Sequence, residues 1–403
     1  MANEVIDNQQ DSITQSVSQR YATAVTNGEQ MCCPTGYNHA DLGQFIPEAV
    51  LKVSYGCGTP VGLSTVQPGE VVLDIGSGGG IDCFEASRKV GATGKVIGID
   101  MTDEMLSLAR THAPTVAKNL GYPASNVDFR KGFADAMPVE DDQVDLIISN
   151  CVINLAPDKK KVFQEMFRVL QPGGRFTISD IVADQPIPQY MIHDRAKWGD
   201  CLSGALTIQD YWGGLREAGF LGLHQVTVIP WRVIDGIHFV SVTLTGYKMA
   251  TTPSSISPIF ATLIGPFSQA EDEFGTTFHR GTPQQIDDQT MCLLTLPPYQ
   301  PHFLLTDRPT TLTDQAPQRL AVYPEEAPCT WEGHFAILTG PFLAVSDDDH
   351  HTYRCGEPLE ICSKTLKVLQ HPLYQPSFGT INRAREAATA EPVICGTSTT
   401  GCC

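Results

Sequence analysis

The residues best equipped for chemistry in this 403-residue chain are its cysteines, at positions 32, 33, 57, 83, 151, 201, 292, 329, 355, 362, 395, 402 and 403. Three stand alone and far apart, in Tyr55-Gly-Cys-Gly58, Ser149-Asn-Cys-Val-Ile-Asn154 and Gly199-Asp-Cys-Leu-Ser-Gly204. Structural zinc sites usually take paired cysteines at short spacing, which these three lack. Thiolates are soft donors and select soft acceptors, so the set points to a soft, thiophilic substrate. Cys83 and Cys292 read as small buried hydrophobes.

A second constellation is Val71-Val-Leu-Asp-Ile-Gly-Ser-Gly-Gly-Gly80. A glycine-rich turn directly after a buried strand lets backbone approach a ligand where Cβ atoms would block it. The dinucleotide fingerprint fails at its last position, which is Ile81. Asp74 precedes the first glycine, and Asp100 ends the next strand, where a carboxylate can accept hydrogen bonds from ribose hydroxyls. Such a carboxylate would repel a pyrophosphate and attract the cationic amino-acid end of S-adenosylmethionine.

These groups need a scaffold. Alternating apolar runs and amphipathic segments from Glu70 to Asp180 predict an α/β fold, a Rossmann-like doubly wound sheet. Strands are expected at Val71–Ile75, Val96–Asp100, Val127–Phe129, Val144–Ser149 and Arg175–Ser179. Helices are expected at Cys83–Lys89, at Asp103–His112 with Thr102 as N-cap and an end ahead of Pro114, and at Lys159–Leu170, stopped by Pro172-Gly173-Gly174. Gln185–Leu206 reads as mainly helical and Gln225–Tyr247 as antiparallel strands, together an inserted acceptor-binding subdomain over about 185–249. Ligands bind at the carboxyl ends of strands in such sheets, which places Cys151 beside the cofactor.

The domain reading is an N-terminal helical segment with a cysteine pair (1–64), a cofactor-binding α/β domain (65–249), a linker (250–258), a duplicated small β domain (259–381) and a flexible tail (382–403). The duplication appears as a constant offset of 75 residues: Phe260, Gly265, Pro266, Asp272, Gly281 and Tyr299 recur as Phe335, Gly340, Pro341, Asp347, Gly356 and Tyr374. Cys355 and Cys362 replace Arg280 and Asp287 of the first copy, and the tail ends on Cys395, Cys402 and Cys403. That tail is expected either to capture a thiophilic metalloid and pass it inward, or to be a redox-labile appendage without a catalytic role.

A formal net charge of -18 argues against a nucleic-acid partner. The polar N-terminus and the absence of a long apolar run lead us to expect a cytoplasmic chain without a membrane partner.

Taken in order, the glycine loop, Gly98-Ile-Asp-Met-Thr-Asp-Glu-Met-Leu106, Gly132-Phe-Ala-Asp-Ala-Met-Pro138 and Phe167-Arg-Val-Leu-Gln-Pro-Gly-Gly-Arg175 resemble the motifs of class I S-adenosylmethionine-dependent methyltransferases. The resemblance implies that Asp74, Gly76 and Gly78 hold the methionine end of the cofactor. It assigns Asp100 and Met101 to the ribose and adenine edge, Ala134 and Asp135 to the adenine ring, and Asn150 to the methionine part. With the Tyr-Gly-Cys-Gly and Ser-Asn-Cys-Val segments and the later cysteine before Ser-Gly, the chain from Cys32 to Tyr247 resembles the arsenite methyltransferase family. It departs from that family at Gly-Ser-Gly-Gly-Gly-Ile-Asp82 and at the adjacent cysteines before Pro34.

By this resemblance Cys57, Cys151 and Cys201 bind trivalent arsenic, delivered as a thiol adduct of arsenite. Cys32 or Cys33 exchanges thiols on the substrate, and a thiol reductant, glutathione or thioredoxin, serves as co-substrate. Two other readings stay open on the residues alone. One is a methyltransferase for another small organic or sulfur acceptor; the other is a thiol-rich metalloid-binding protein without turnover.

Overall fold

A computed structural model describes residues 2–27, 36–53, 55–250, 258–310 and 333–382. The chain divides into two compact units, Met1–Phe220 with Gln225–Lys248, and Leu221–His224 with Met249–Cys403.

The first unit opens with the helix α1 (Ala2–Asn27) and three short helices, α2 (His39–Leu42), α3 (Glu48–Leu51) and α4 (Pro60–Leu63). The sheet then begins with β1 (Val71–Ile75), followed by α5 (Ile81–Val90), β2 (Lys95–Asp100), α6 (Asp103–Asn119), β3 (Val127–Lys131), β4 (Val144–Asn150), α7 (Lys159–Val169) and β5 (Leu170–Ala183). Short helices α8 (Gln189–Ile192) and α9 (Arg195–Gly199), the two-residue strand β6 (Leu206–Thr207) and α10 (Ile208–Ala218) lead to the hairpin β7 (Leu221–Ile234) and β8 (Ile237–Tyr247). Its turn, Asp235-Gly236, has φ of 54° and 79°, the left-handed pair that matches the twist of a two-residue hairpin.

The strand order is β3-β2-β1-β4-β5-β8-β7, with the first five parallel and β8 antiparallel to β5. Val72, Leu146 and Ile148 are fully buried against Phe84, Leu106 and Phe129 on one face, each side chain contributing about 1.5–3 kcal/mol. A second cluster gathers Cys57, Cys151 and Cys201 with Ile181, Trp198, Leu202 and Phe239. The fold thus puts all three isolated cysteines into one apolar pocket of the core.

The local expectations fail in three places. The helix expected to end ahead of Pro114 continues to Asn119, with the proline inside it. The ring forgoes one helical bond, a cost of about 3 kcal/mol, and the burial of Ala113, Val116 and Ala117 offsets it. Pro172-Gly173-Gly174 lies within β5 rather than before it, with the Gly173 N–H donating to the Lys248 carbonyl at 2.8 Å. Gln185–Leu206 holds only two short helices, since Trp198 and Met191 tether turns through the Ile192 carbonyl (2.8 Å) and Ser203 (2.7 Å). The expected linker core and tail lie outside the described residues.

In the second unit the first copy comprises β9 (Ile259–Leu263), β10 (Gln269–Glu271), β11 (Thr277–His279), β12 (Pro283–Ile286), α11 (Asp288–Leu294) and β13 (Phe303–Thr306). The second copy comprises β14 (His334–Leu338), β15 (Ala344–Ser346), β16 (Thr352–Arg354), β17 (Pro358–Ile361), α12 (Ser363–Leu369) and β18 (Phe378–Asn382). Each copy forms a three-stranded sheet, and the copies meet where β10 pairs antiparallel with β15. There Gln269 faces Ser346 and Glu271 faces Ala344, so equivalent residues exchange places about a local two-fold axis at Ala270 and Val345.

The duplicated turns have diverged. Asp272 accepts the backbone N–H groups of Phe274 and Thr276 at 2.9 and 2.8 Å, and Asp347 does the same for Asp349 and His351 at 2.9 Å each. The second oxygen of Asp347 also bonds His351 Nδ1 (2.8 Å) and the Tyr353 hydroxyl (2.9 Å), whereas that of Asp272 has no hydrogen-bond partner, since Thr276 and Phe278 stand at those positions.

Candidate active site

The glycine-rich turn joins β1 to α5 with Gly76, Gly78 and Gly80 at φ of 74°, 50° and 94°. A Cβ at Gly76 would run into the Val152 side chain, so glycine is required there for space as well as for conformation. The Gly78 N–H donates to Asp100 Oδ2 at 2.9 Å, and the Thr102 N–H donates to Oδ1 at 2.8 Å. Thr102 does occupy the N-cap of α6, but its side chain makes no capping bond.

A cleft open to solvent lies over the carboxyl ends of β1, β2 and β4. Asp74, Gly76, Gly78, Asp100, Met101, Ala134, Asp135 and Asn150 all line it, and so does Cys151. Thr14 and Tyr21 of α1, together with Tyr55, form a further wall that sequence reasoning did not assign to the site.

Two buried oxygens facing this cleft, Ser77 Oγ and Asp82 Oδ1, have no hydrogen-bond partner. Three carboxylates, Asp74, Asp82 and Asp100, are crowded here. Burial raises Asp82 to about 7, against hydrogen bonds from Tyr37 and Asn150. Burial first and the Asp82 charge second push Asp74 well above the usual carboxylate range, with the Cys83 thiol donating to it at 3.3 Å. An unpartnered acceptor among buried acids fits a ligand carrying a cationic amino group, so these residues suit S-adenosylmethionine. In the sequence Asp82 stands only as the end of the segment Gly-Ser-Gly-Gly-Gly-Ile-Asp82, with no role assigned to it.

The cysteines sit immediately beside this cleft. Cys151 follows β4 and Cys201 follows α9, both with φ of 59°, a left-handed backbone that costs a residue bearing a Cβ about 1–2 kcal/mol. The Cys151 N–H donates to the Ser179 carbonyl at 2.8 Å. Asn150 fastens the Cys57 loop: its Oδ1 accepts the N–H groups of Cys57 (2.9 Å) and Gly58 (3.2 Å), and its Nδ2 donates to the Gly58 carbonyl (2.8 Å) and to the Tyr37 hydroxyl (2.9 Å). Ser241 closes the other side by donating to the Cys57 carbonyl at 2.6 Å. Cβ atoms at Gly56 and Gly58 would collide with Asn150 and with Ser179, which explains the spelling Tyr-Gly-Cys-Gly.

The expectation that these cysteines are separate thiolates is corrected in one respect: Cys57 and Cys151 are joined by a disulfide. The Asn150 clamp brings their Cα atoms to 5.8 Å, within disulfide reach. Cys201 remains a buried thiol and donates to the Cys151 carbonyl at 3.6 Å. Cys32 and Cys33 lie outside the described residues. Cys83 is buried as expected, whereas Cys292 is only half-buried.

Asp180, on β5, is a site residue that sequence reasoning missed. One of its oxygens and the sulfurs of Cys57 and Cys151 all lie within 4.8 Å of one another. Its carboxylate is held by the N–H groups of Asn154 (3.0 Å) and Ile181 (2.9 Å), and burial raises it to about 7. Lys159 is lowered to about 8 by burial, against the charges of Asp180 and Cys201.

The methyltransferase-domain family matches residues 67–219, and a domain family of unknown function matches 262–323 and 325–401. The chain is 40% identical over 239 residues to an arsenite methyltransferase of Halobacterium salinarum, covering 54% of this chain and 59% of the relative. It therefore spans about three-fifths of that relative's length. It is 30% identical over 360 residues to the arsenite methyltransferase of Homo sapiens, covering 84% of this chain and 91% of the relative. The solved structure of an arsenic(III) S-adenosylmethionine methyltransferase from Chlamydomonas reinhardtii is similar with a TM-score of 0.53 and 31% identity, over 70% of this chain and all (100%) of that one. By its extended match to these relatives, the chain belongs to the arsenite methyltransferase family.

Proposed function

We propose that this chain transfers methyl groups from S-adenosylmethionine to trivalent arsenic held by Cys57, Cys151 and Cys201. The observation that carries the reading is the meeting of three sequence-distant cysteines in one apolar cluster, with Cys151 also lining the cofactor cleft. Asp82 and Asp74 would hold the cationic end of the cofactor, Asp100 and Met101 its ribose and adenine edge, and Ala134 and Asp135 the ring. Bound there, the cofactor supplies an electrophilic methyl group.

The chain's own contribution is the placement of the acceptor. Before the site can bind arsenic, a thiol reductant, glutathione or thioredoxin, must open the Cys57–Cys151 disulfide; two reductant thiols become a disulfide and two protein thiols are released. Arsenite delivered as its tris-thiol adduct then exchanges its three thiols for the three cysteines, returning three free thiols. Arsenic held this way is neutral and keeps a lone pair, so no general base is needed to generate the nucleophile. The apolar cluster excludes water, and rigid loops fix the arsenic against the methyl donor. Such positioning supplies up to about 7–11 kcal/mol of the barrier. Cys32 or Cys33 would take part in the exchange of thiols.

The test is S-adenosylhomocysteine release with and without arsenite, in excess glutathione, for wild type and Cys151→Ser. Arsenite-dependent release that falls at least about a thousandfold in the variant, some 4 kcal/mol of lost positioning, is expected. Release that ignores arsenite, or survives the substitution, would overturn the reading.

A further inference from the structure

Trivalent arsenic uses three donors and keeps its fourth position for a lone pair. The pocket nevertheless holds a fourth donor. Among the described residues, one group of three potential ligand atoms lies within 4.8 Å of one another, and it consists of Cys57, Cys151 and Asp180. Cys201 is not part of that group, although its thiol reaches the Cys151 carbonyl at 3.6 Å. A carboxylate is a hard donor that adds nothing to arsenic held by three sulfurs, yet it is a common ligand for tetrahedral closed-shell divalent cations.

We propose that, once reduced, Cys57, Cys151 and Asp180 form a site for a thiophilic divalent cation, zinc or cadmium, with Cys201 completing the tetrahedron and the cation competing with arsenic.

Three features of the pocket support this. The Asp180 carboxylate is fixed in orientation: Oδ2 accepts the Asn154 N–H at 3.0 Å and the Tyr211 hydroxyl at 3.4 Å, while Oδ1 accepts the Ile181 N–H at 2.9 Å and keeps a lone pair for a cation. Such outer bonds are what hold a metal-ligating carboxylate in place. The charge can also be accommodated: three thiolates and a carboxylate around a divalent cation leave two negative charges, and the half-buried Lys159 ammonium interacts with both Asp180 and Cys201. Finally, the site is closed, with Asp180, Cys57, Cys151 and Cys201 all at most 5% exposed, as in a structural rather than a catalytic metal site. Binding releases one proton per thiol that enters the coordination sphere, and no electron transfer is involved.

The inference shares its thiols with the proposed arsenic site but does not depend on methyl transfer. The test uses fully reduced full-length protein titrated with cadmium in a competing chelator. It follows thiolate-to-cadmium absorbance and the 113Cd resonance in wild type, Asp180→Asn and the Cys57→Ser/Cys151→Ser double variant. We expect a tight equivalent that the double variant lacks and that Asp180→Asn binds at least about tenfold more weakly, since losing a charged ligand costs no less than the roughly tenfold lost on disturbing a ligand's supporting residue.

Equal cadmium affinity in Asp180→Asn, or a tight equivalent that survives the loss of both cysteines, would overturn the proposal. S-Adenosylmethionine binding reports whether Asp180→Asn has folded. If it has not, the wild-type resonance assigned by the double variant decides: a sphere containing oxygen supports the site, and an all-sulfur sphere refutes it. Cadmium bound here by a chain that releases no S-adenosylhomocysteine with arsenite would sink the methyl-transfer reading and leave this one standing.

Discussion

Both units of the chain carry cysteines, but they are housed differently. In the first unit, Cys57, Cys151 and Cys201 come from segments 50 or more residues apart and share one apolar cluster, two of them on left-handed backbone. In the second, Cys355 and Cys362 occupy positions where the other copy of the repeat has Arg280 and Asp287, and neither joins a group of three potential metal-ligand atoms among the described residues. Cysteine content alone therefore does not mark a site. What marks it is the structure spent on convergence: strained φ at Cys151 and Cys201, an asparagine clamp on Cys57, and glycines that yield space to Asn150 and Ser179.

That contrast can be broken by attacking the convergence rather than the sulfurs. Gly58→Ala drives a Cβ into Ser179 while leaving every thiol present. Overpacking of this kind costs about 1–3 kcal/mol, so arsenite-dependent turnover should fall by about 10- to 100-fold, measured as kcat/KM for arsenite, with S-adenosylmethionine binding retained. Asn150→Ala strands the N–H groups of Cys57 and Gly58, and thermal unfolding should report a loss of about 1–3 kcal/mol. A loss of arsenite affinity without any change in stability would show that the clamp acts only on the ligand.

A smaller effect concerns protons at the cofactor cleft. Asp82, raised to about 7 by burial, lies among Asp74, Glu85, Lys89, Tyr37 and Asn150. A carboxylate with a raised folded-state value is protonated in the empty site below about pH 7, and a cationic ligand favours its ionised form. Cofactor affinity should therefore weaken as pH falls through about 7, at most about tenfold per unit, with proton release on binding that calorimetry in buffers of different ionisation enthalpy can count. Smallest of all, Cys355→Ser with Cys362→Ser should leave arsenite-dependent turnover within about twofold, because neither residue belongs to the convergent set.

Much of this site was legible before any coordinates. The strand–glycine loop–helix order named Asp74, Gly76, Gly78 and Asp100, all of which line the cleft, because backbone sterics tie that spelling to one turn. The constant 75-residue offset showed the duplication, and its strands and helices repeat at that spacing. Three things were hidden, for different reasons. The helix through Pro114 persists because tertiary burial outweighs one lost bond, a balance that local sequence does not display. Asn150 reads as a cofactor residue by position, yet its hydrogen bonds go to the Cys57 loop, a partner 93 residues away. Asp180 looks like any strand-end acid, and only the parallel pairing of β4 with β5 sets it beside Cys151. The disulfide between Cys57 and Cys151 follows from the Asn150 clamp on the Cys57 loop rather than from cysteine spacing.

The most direct test of the convergence is a map of thiol reactivity by peptide mass spectrometry on reduced full-length protein, with and without one equivalent of arsenite. The account predicts that arsenite protects Cys57, Cys151 and Cys201 together and leaves Cys355 and Cys362 as reactive as before. Protection that falls on the second unit, while Cys57 and Cys151 stay open to alkylation, would contradict it.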